Sequence, residues 1–223
     1  MGNDYFRFKQ FTVWQDRCGM KVGTDGTLLG AWANGGNSIL DIGTGTGLIA
    51  LMMAQRFPKA RLVGIDIDPE AVAQAQSNVS VSPFSSRVEI LLQDVADAVG
   101  QYDALVCNPP FFTGALKSPD AKRTLARHAD TLSYRQLMHH AWRLLCDTGE
   151  LSVVIPADCR GQLENEALLA GFFMSRECAV KTTWRKPPKR FLLAFRKHPV
   201  APLPVSLTLG TAEAHALTEE FYL

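Results

Sequence analysis

Three carboxylates in this 223-residue chain stand where apolar runs end: Asp41 in "SILDIGTGTG", Asp66 in "ARLVGIDIDP" and Asp94 in "RVEILLQDV". The first is followed by Gly43, Gly45 and Gly47. Such glycines let a backbone pass close to a ligand, at the start of a helix whose N-terminus favours negative charge. A carboxylate at a strand tip, as at Asp66, is suited to accept hydrogen bonds from both hydroxyls of a ribose, and Asp94 could accept one from an adenine amino group. On its own Asp94 reads more readily as a helix cap, and Asp68 fits the cap before Pro69 better than Asp66 does. Three carboxylates at three successive strand ends, after a glycine turn, are hard to explain as caps. The glycine spacing is G-x-G-x-G, with Leu48 where a dinucleotide fingerprint would place its third glycine, which disfavours a nicotinamide cofactor.

A fourth apolar run, "LVCNPPFFTG", stops on Asn108, Pro109, Pro110 and Phe111, with Phe112 next. Taken alone, prolines end strands and phenylalanines fill cores. Its place in the chain gives it more meaning.

From Ser38 the sequence alternates short apolar strands with helical patterns. "SILDIG" precedes the helix "GLIALMMAQRF", and "ARLVGIDI" precedes "PEAVAQAQSNVS". "RVEILLQD" and "YDALVCN" follow as strands, then "SYRQLMHHAWRLL" as a helix capped by Ser133. "GELSVVIP" is a fifth strand and "ADCRGQLENEALLAG" a further helix. "FFMSRECAV" and "RFLLAFRK" are too close for a helical crossover, so they pair antiparallel. "VSLTL" reads as a short tail strand and "TAEAHALTEEF" as a closing helix. This pattern predicts an α/β fold: a doubly wound, seven-stranded, mostly parallel sheet with an antiparallel last strand. Residues 1–36 form an N-terminal extension, a hairpin plus a short helix capped by Thr24 or Asp25, expected to cover the ligand site. Residues 37–223 form the main domain, with a basic loop at 181–190 and a short C-terminal tail. In such sheets ligands bind beyond the carboxyl ends of the strands, where Asp41, Asp66, Asp94 and Asn108 all fall.

Composition sets the outer bounds. With 47% hydrophobic and 20% charged residues the chain reads as an ordinary globular protein, and no apolar run reaches membrane-spanning length. The start lacks the apolar stretch of a signal peptide. Cys18, Cys107, Cys146, Cys159 and Cys178 are scattered without a C-x-x-C pair, which argues against a metal site and fits a reducing, cytoplasmic setting. The net charge of +1 is unevenly spread, with 8 Lys/Arg against 11 Asp/Glu up to residue 110 and 15 against 11 after it. No acidic residue occurs from Cys178 to Ala212, where Lys181, Arg185, Lys186, Lys189 and Arg190 surround Trp184 and two prolines. A one-signed stretch threaded with an aromatic points to phosphate binding.

The glycine turn and the strand-end carboxylates resemble the class I S-adenosylmethionine-dependent methyltransferases over about residues 38–197. The resemblance implies that Asp41, Gly43, Thr44 and Gly45 hold the methionine part of S-adenosylmethionine. It implies ribose binding by Asp66 with Ile67, and adenine binding by Asp94 with Val95. "NPPF" resembles the (D/N/S)-P-P-(Y/F/W) motif of enzymes that methylate planar nitrogens. An exocyclic amine is a poor nucleophile because its lone pair is delocalised into the ring. Two acceptors, the Asn108 side-chain oxygen and the Pro109 carbonyl, would draw on its N–H bonds and turn the lone pair towards the methyl. Pro109 and Pro110 fix φ and pre-aim that carbonyl, and Phe111 would stack on the base. Asn108 would also border the cofactor. Cys107 reads as a packed strand residue.

The opening "FRFKQFTVWQ", the segment "GMKVGTDGTLLGAW", "DIGTGTGLIALMMAQR", "NPPFF" and "WRKPPKRFLLAF" together resemble the bacterial tRNA adenine-N6 methyltransferases. The implied reaction is methylation of N6 of an adenosine in tRNA, adenosine 37 beside the anticodon of tRNA(Val). In this group the N-terminal segment lies over the cofactor, so Lys21, Thr24 and Asp25 become contacts. RNA would be gripped mainly through phosphates by Lys181, Arg185, Lys186, Lys189 and Arg190, joined by Lys122, Arg123 and Arg127. Lys117, Arg7 and Lys9 extend that face. No membrane, metal or obligate protein partner is implied. The alternatives are ribosomal RNA adenine-N6 methylation, protein-glutamine N5 methylation, and a cofactor-binding RNA chaperone whose catalysis is dispensable.

Overall fold

A computed structural model describes residues 3–17, 21–110 and 132–222. Phe111, Phe112, Lys117, Lys122, Arg123 and Arg127 lie outside the described residues. The chain begins with a two-stranded antiparallel hairpin, β1 (Tyr5–Arg7) and β2 (Thr12–Trp14), followed by α1 (Thr24–Trp32). Alternation then sets in: β3 (Ser38–Ile42), α2 (Leu48–Arg56), β4 (Arg61–Asp66), α3 (Pro69–Ser80), β5 (Val88–Leu92) and β6 (Tyr102–Cys107). After the undescribed stretch come α4 (Tyr134–Leu144), β7 (Leu145–Pro156), α5 (Arg160–Leu169), β8 (Phe173–Lys181), β9 (Arg190–Arg196), β10 (Leu203–Thr208) and α6 (Ala212–Thr218).

The last eight strands form one sheet in the order β10-β8-β9-β7-β6-β3-β4-β5. Every pairing is parallel except those of β9 with β7 and β8. The doubly wound, mostly parallel reading therefore holds. The tail strand raises the expected seven to eight, because Leu203–Thr208 adds to β8 in parallel at the edge. The β8–β9 antiparallel turn follows from its loop, since the residues between Lys181 and Arg190 cannot span a crossover.

Two buried layers hold the sheet. On one face Leu51, Met52 and Met53 of α2 pack with Leu28 and Leu29 of α1, with Val72 of α3, and with Phe8, Phe11 and Val13 from the hairpin. Helix α2 is buried nearly all round, which is why its sequence shows apolar residues on most faces. On the other face α4 buries Tyr134, Leu137, Met138, Ala141 and Leu144, the i, i+3, i+4, i+7 spacing of one helical stripe. Its start is the expected one: Ser133 accepts from the Gln136 N–H and the Gln136 side chain answers back, a capping box. The hairpin is tied down by Asn78 of α3, which accepts from Trp14 N at 2.9 Å and donates to Trp14 O at 2.9 Å.

The start of α1 departs from expectation. Its N-cap is Gly23, with no side-chain cap, so neither Thr24 nor Asp25 fills that role. The Asp25 carboxylate is instead taken by Arg190 at 2.8 Å. An ion pair with a guanidinium outcompetes a cap that only satisfies a neutral N–H.

Candidate active site

Strand β3 leads through α2 to β4 on one side, while β6 lies against its other side. The winding reverses between β3 and β6, and a cleft opens beyond the carboxyl ends of strands at such a reversal. Here that cleft has a volume of about 1180 Å³. Lys21, Thr24, Asp25, Gly43, Thr44, Gly45, Asp66, Ile67, Asp94, Val95, Asn108, Pro109 and Pro110 all line it, so the sequence-assigned residues converge on one wall system. Asp41 lies behind that wall rather than on it.

The glycine turn is built around that buried acid. Asp41 Oδ2 accepts from Thr44 Oγ1 at 2.7 Å and from Ala50 N at 3.1 Å, joining the strand end to the first turn of α2. Its other oxygen is buried with no partner among the described residues. Burial therefore pushes the Asp41 carboxyl up to about 7, against the pull of those two hydrogen bonds. Gly43 and Gly45 have φ of 71° and 56°, a region that side-chain-bearing residues rarely enter. A Cβ on either would meet nothing within 4 Å, so their open side faces the cleft.

Asp66 locks the turn to the next strand. Its Oδ2 accepts from Gly45 N at 2.9 Å and its Oδ1 from Asp68 N at 3.0 Å. Each carboxylate oxygen keeps a second lone pair, enough to take a ribose hydroxyl as well. Asp68 is the α3 cap, accepting from Glu70 N at 2.9 Å, as the sequence reading separated it from Asp66. Asp94 is exposed and accepts from Ala96 N at 2.8 Å, so it shapes a turn rather than starting a helix. Its second oxygen accepts no hydrogen bond among the described residues.

Asn108 follows β6 directly beside the glycine turn, since Cys107 pairs in register with Ile42. Its side-chain oxygen is buried without a hydrogen-bond partner among the described residues, next to buried Pro109 and exposed Pro110. A buried amide oxygen with no partner costs on the order of 1–3 kcal/mol, a cost a bound N–H would relieve. Cys107, one residue earlier, has its thiol raised well above its ordinary range by burial and by the nearby Asp41 and Asp66 charges, so it is a poor nucleophile.

Sequence reasoning missed part of this wall. Gln93, Leu132, Gln136 and His140 also line the cleft. Gln136 and His140 are four residues apart on α4, a spacing that puts them on one face, but nothing in the sequence indicated that α4 borders the cleft rather than merely covering the sheet. His140 is held below the usual histidine range by burial and by the neighbouring Arg143 and His139.

The basic loop lies between β8 and β9. Trp184 is 72% exposed, with the Arg185 guanidinium 4.7 Å from its ring centre. Lys186 and Lys189 are exposed and Lys181 is half-buried. Arg190 differs from these because its charge is committed to Asp25. Among the described residues no group of three His, Cys, Asp or Glu is gathered to hold a metal, and no helix is long and apolar enough to cross a membrane.

Residues 25–184 match the family model of the methyltransferase small domain. The chain is 48% identical over 233 residues to the tRNA1(Val) (adenine(37)-N6)-methyltransferase of Phocaeicola vulgatus, covering 100% of this chain and 99% of the relative. It is 43% identical over 237 residues to the protein of the same name from Trichodesmium erythraeum, again covering 100% and 99%. Among solved structures, a predicted O-methyltransferase of Agrobacterium tumefaciens superposes with a TM-score of 0.66 at 17% identity, covering 88% of this chain and 96% of the other. A putative class I S-adenosylmethionine-dependent methyltransferase of Listeria monocytogenes gives 0.62 at 17%, covering 86% and 65%. These two speak for the fold. With the family model and the full-length relatives, they leave one assignment: the chain belongs to the methyltransferase small domain family, in the group of relatives named tRNA1(Val) (adenine(37)-N6)-methyltransferase.

Proposed function

We propose that this protein methylates the N6 amino group of adenosine 37 in tRNA1(Val), with S-adenosylmethionine as cofactor. The observation that carries the reading is the Asn108 oxygen, buried and unpartnered among the described residues, just past β6 and beside the glycine turn that follows β3. Full-length relatives of that name at 42–48% identity support the substrate.

The residues present fit the cofactor. The open side of Gly43 and Gly45 gives room for a chain to pass, Asp66 offers acceptors to two hydroxyls, and Asp94 offers one to an exocyclic amine. Lys21, Thr24 and Asp25 of the N-terminal extension line the cleft and are in this reading cofactor contacts. When bound, S-adenosylmethionine supplies an electrophilic methyl on a sulfonium.

Asn108 and the Pro109 carbonyl accept the two N–H bonds of the substrate amine and hold its lone pair in line with that methyl. Their rigidity matters, because acceptors already aimed at the amine need not reorganise as it turns positive. No strong base is needed, since the amine becomes acidic as its nitrogen attacks. Phe111 stacks on the adenine in this reading, and Arg185, Lys186 and Lys189 with Trp184 grip the RNA near the cleft. An anticodon-loop adenosine is already largely unpaired, so extruding it costs less than flipping a base from a duplex.

Nucleoside mass spectrometry of tRNA1(Val) from cells lacking the gene tests the proposal. Loss of N6-methyladenosine at position 37, restored by the purified protein and S-adenosylmethionine, is the expected result. Unchanged N6-methyladenosine would reject it.

A further inference from the structure

The segment that links β5 to β6 has no helix, yet it carries Asp94 and Val95 on the cleft wall. Turns of this kind leave carbonyls without backbone partners. Three carbonyls of this segment point to a single side chain on another element. Arg143, in the last turn of α4, donates from Nη2 to Val95 O at 2.6 Å and to Ala96 O at 2.7 Å, and from Nη1 to Ala98 O. Its Nε donates to His140 Nδ1 at 3.4 Å. Arg143 itself does not line the cleft, whereas Asp94, Val95, Ala96 and His140 do.

We propose that Arg143 is a positioning residue for the adenosine half of the cofactor: from behind the wall it fixes the Asp94–Ala98 turn and orients His140. The inference rests on the cofactor reading of the cleft given above. A guanidinium suits the task because its planar fork presents several donors at once, which an ammonium cannot do. The turn's other hydrogen bonds are local: Asp97 N to Asp94 O at 3.0 Å, Ala98 N to Val95 O at 3.3 Å, Ala96 N to the Asp94 carboxylate at 2.8 Å and Gln93 Nε2 to Asp97 O at 3.1 Å. Buried Val95 and Ala98 anchor its apolar side against the α4 layer, but burial does not set the direction of Asp94. The contact with Nε also assigns His140 its tautomer. With Nδ1 accepting from Arg143, the neutral ring carries its proton on Nε2; burial first, and Arg143 second, favour that neutral form.

Calorimetric titration of the full-length protein with S-adenosylhomocysteine and with methylthioadenosine, in R143M and R143K, tests the role. Both probes share the adenosine half, and only the first carries the amino-acid half. R143M is expected to weaken both by about tenfold, equivalent to about 1.4 kcal/mol. R143K should recover part of that loss, and kcat at saturating cofactor should stay within about threefold of wild type. Amide exchange at 94–98 should quicken. Unchanged affinity for both probes in a folded R143M overturns the role, as does a drop in kcat with affinity intact. If R143M does not fold, R143K decides by the same criterion, with a loss of at least about threefold expected. Failure of the wild-type protein to bind either probe would instead reject the cofactor reading itself.

Discussion

Asp25 and Arg190 form an ion pair at 2.8 Å between the helix that borders the cleft and the first residue of β9, where the basic loop ends. The N-terminal extension is thereby fastened to the strand hairpin that carries the basic loop. Both side chains are partly exposed, and pairs of this kind contribute about 0.5–1 kcal/mol. A double-mutant cycle of Asp25→Asn and Arg190→Gln should show coupling of that size in urea unfolding. Cofactor affinity should fall about equally in each single variant and no further in the double. Additive losses would mean that the two residues act separately.

Asn108→Ala should separate binding from chemistry. The variant removes an acceptor required only as the substrate amine becomes positive, so single-turnover rates should drop by about 10²–10³-fold. Dissociation constants for cofactor and tRNA should move by less than about threefold. A variant that binds cofactor poorly but keeps its rate at saturation would place Asn108 on the cofactor instead.

Asp66 and Asp94 should differ in weight. Asp66 holds the glycine turn through Gly45 N as well as facing the cleft, so Asp66→Asn disturbs two things at once. Its loss should weaken S-adenosylhomocysteine binding by about tenfold to a hundredfold, in the range of charged hydrogen bonds. Asp94→Asn, at an exposed position, should cost only about fivefold. Titration calorimetry of both variants checks the order, and equal losses would refute it.

Asp41 gives the free protein a distinctive pH dependence. Its carboxyl is held up to about 7 in the fold by burial but returns to an ordinary value when unfolded. Between about pH 4 and 7 the folded state keeps a proton that the unfolded state releases, so stability falls as pH rises across that window and levels off above it. The full effect is of the order of 4 kcal/mol. Urea midpoints at pH 5, 6, 7 and 8 should decline accordingly in the wild type. Asp41→Asn, which keeps an acceptor for Thr44 and Ala50, should flatten the profile.

The legible parts of this molecule were those governed by local rules. Strand ends, the Asp68 cap and the Ser133 cap each depend on a few neighbouring residues, so they could be read directly. The places of Asp66, Asp94 and Asn108 on the cleft were legible for a further reason: in a parallel sheet every strand delivers its end to the same edge, whereas Asp41, one residue short of its strand's end, turned out to lie behind the wall. Long-range pairings escaped. Nothing in "YRQLMHHAWRL" indicates that Arg143 reaches the carbonyls of 95–98, or that Gln136 and His140 border the cleft. Arg190 looked like its basic neighbours until the fold set it beside Asp25, 165 residues away in sequence. Asp25 looked like a cap for the same reason.

The loop before Arg190 should therefore split into two classes of residue. Arg185, Lys186 and Lys189 are not committed to carboxylates among the described ion pairs, and Trp184 offers an exposed ring stiffened by Arg185. A Lys186→Gln, Lys189→Gln double variant should raise the KM for tRNA with little change in kcat or in cofactor affinity. It should also lower the slope of log affinity against log salt by about 1.4–1.8, since each phosphate contact contributes about 0.7–0.9. Trp184→Ala should weaken tRNA binding by a stacking increment of about 1–3 kcal/mol while leaving that slope unchanged, because an uncharged ring releases no counterion. Filter binding of tRNA1(Val) across a salt series distinguishes the two. If the double variant keeps the wild-type slope, the RNA phosphates are held elsewhere on the protein.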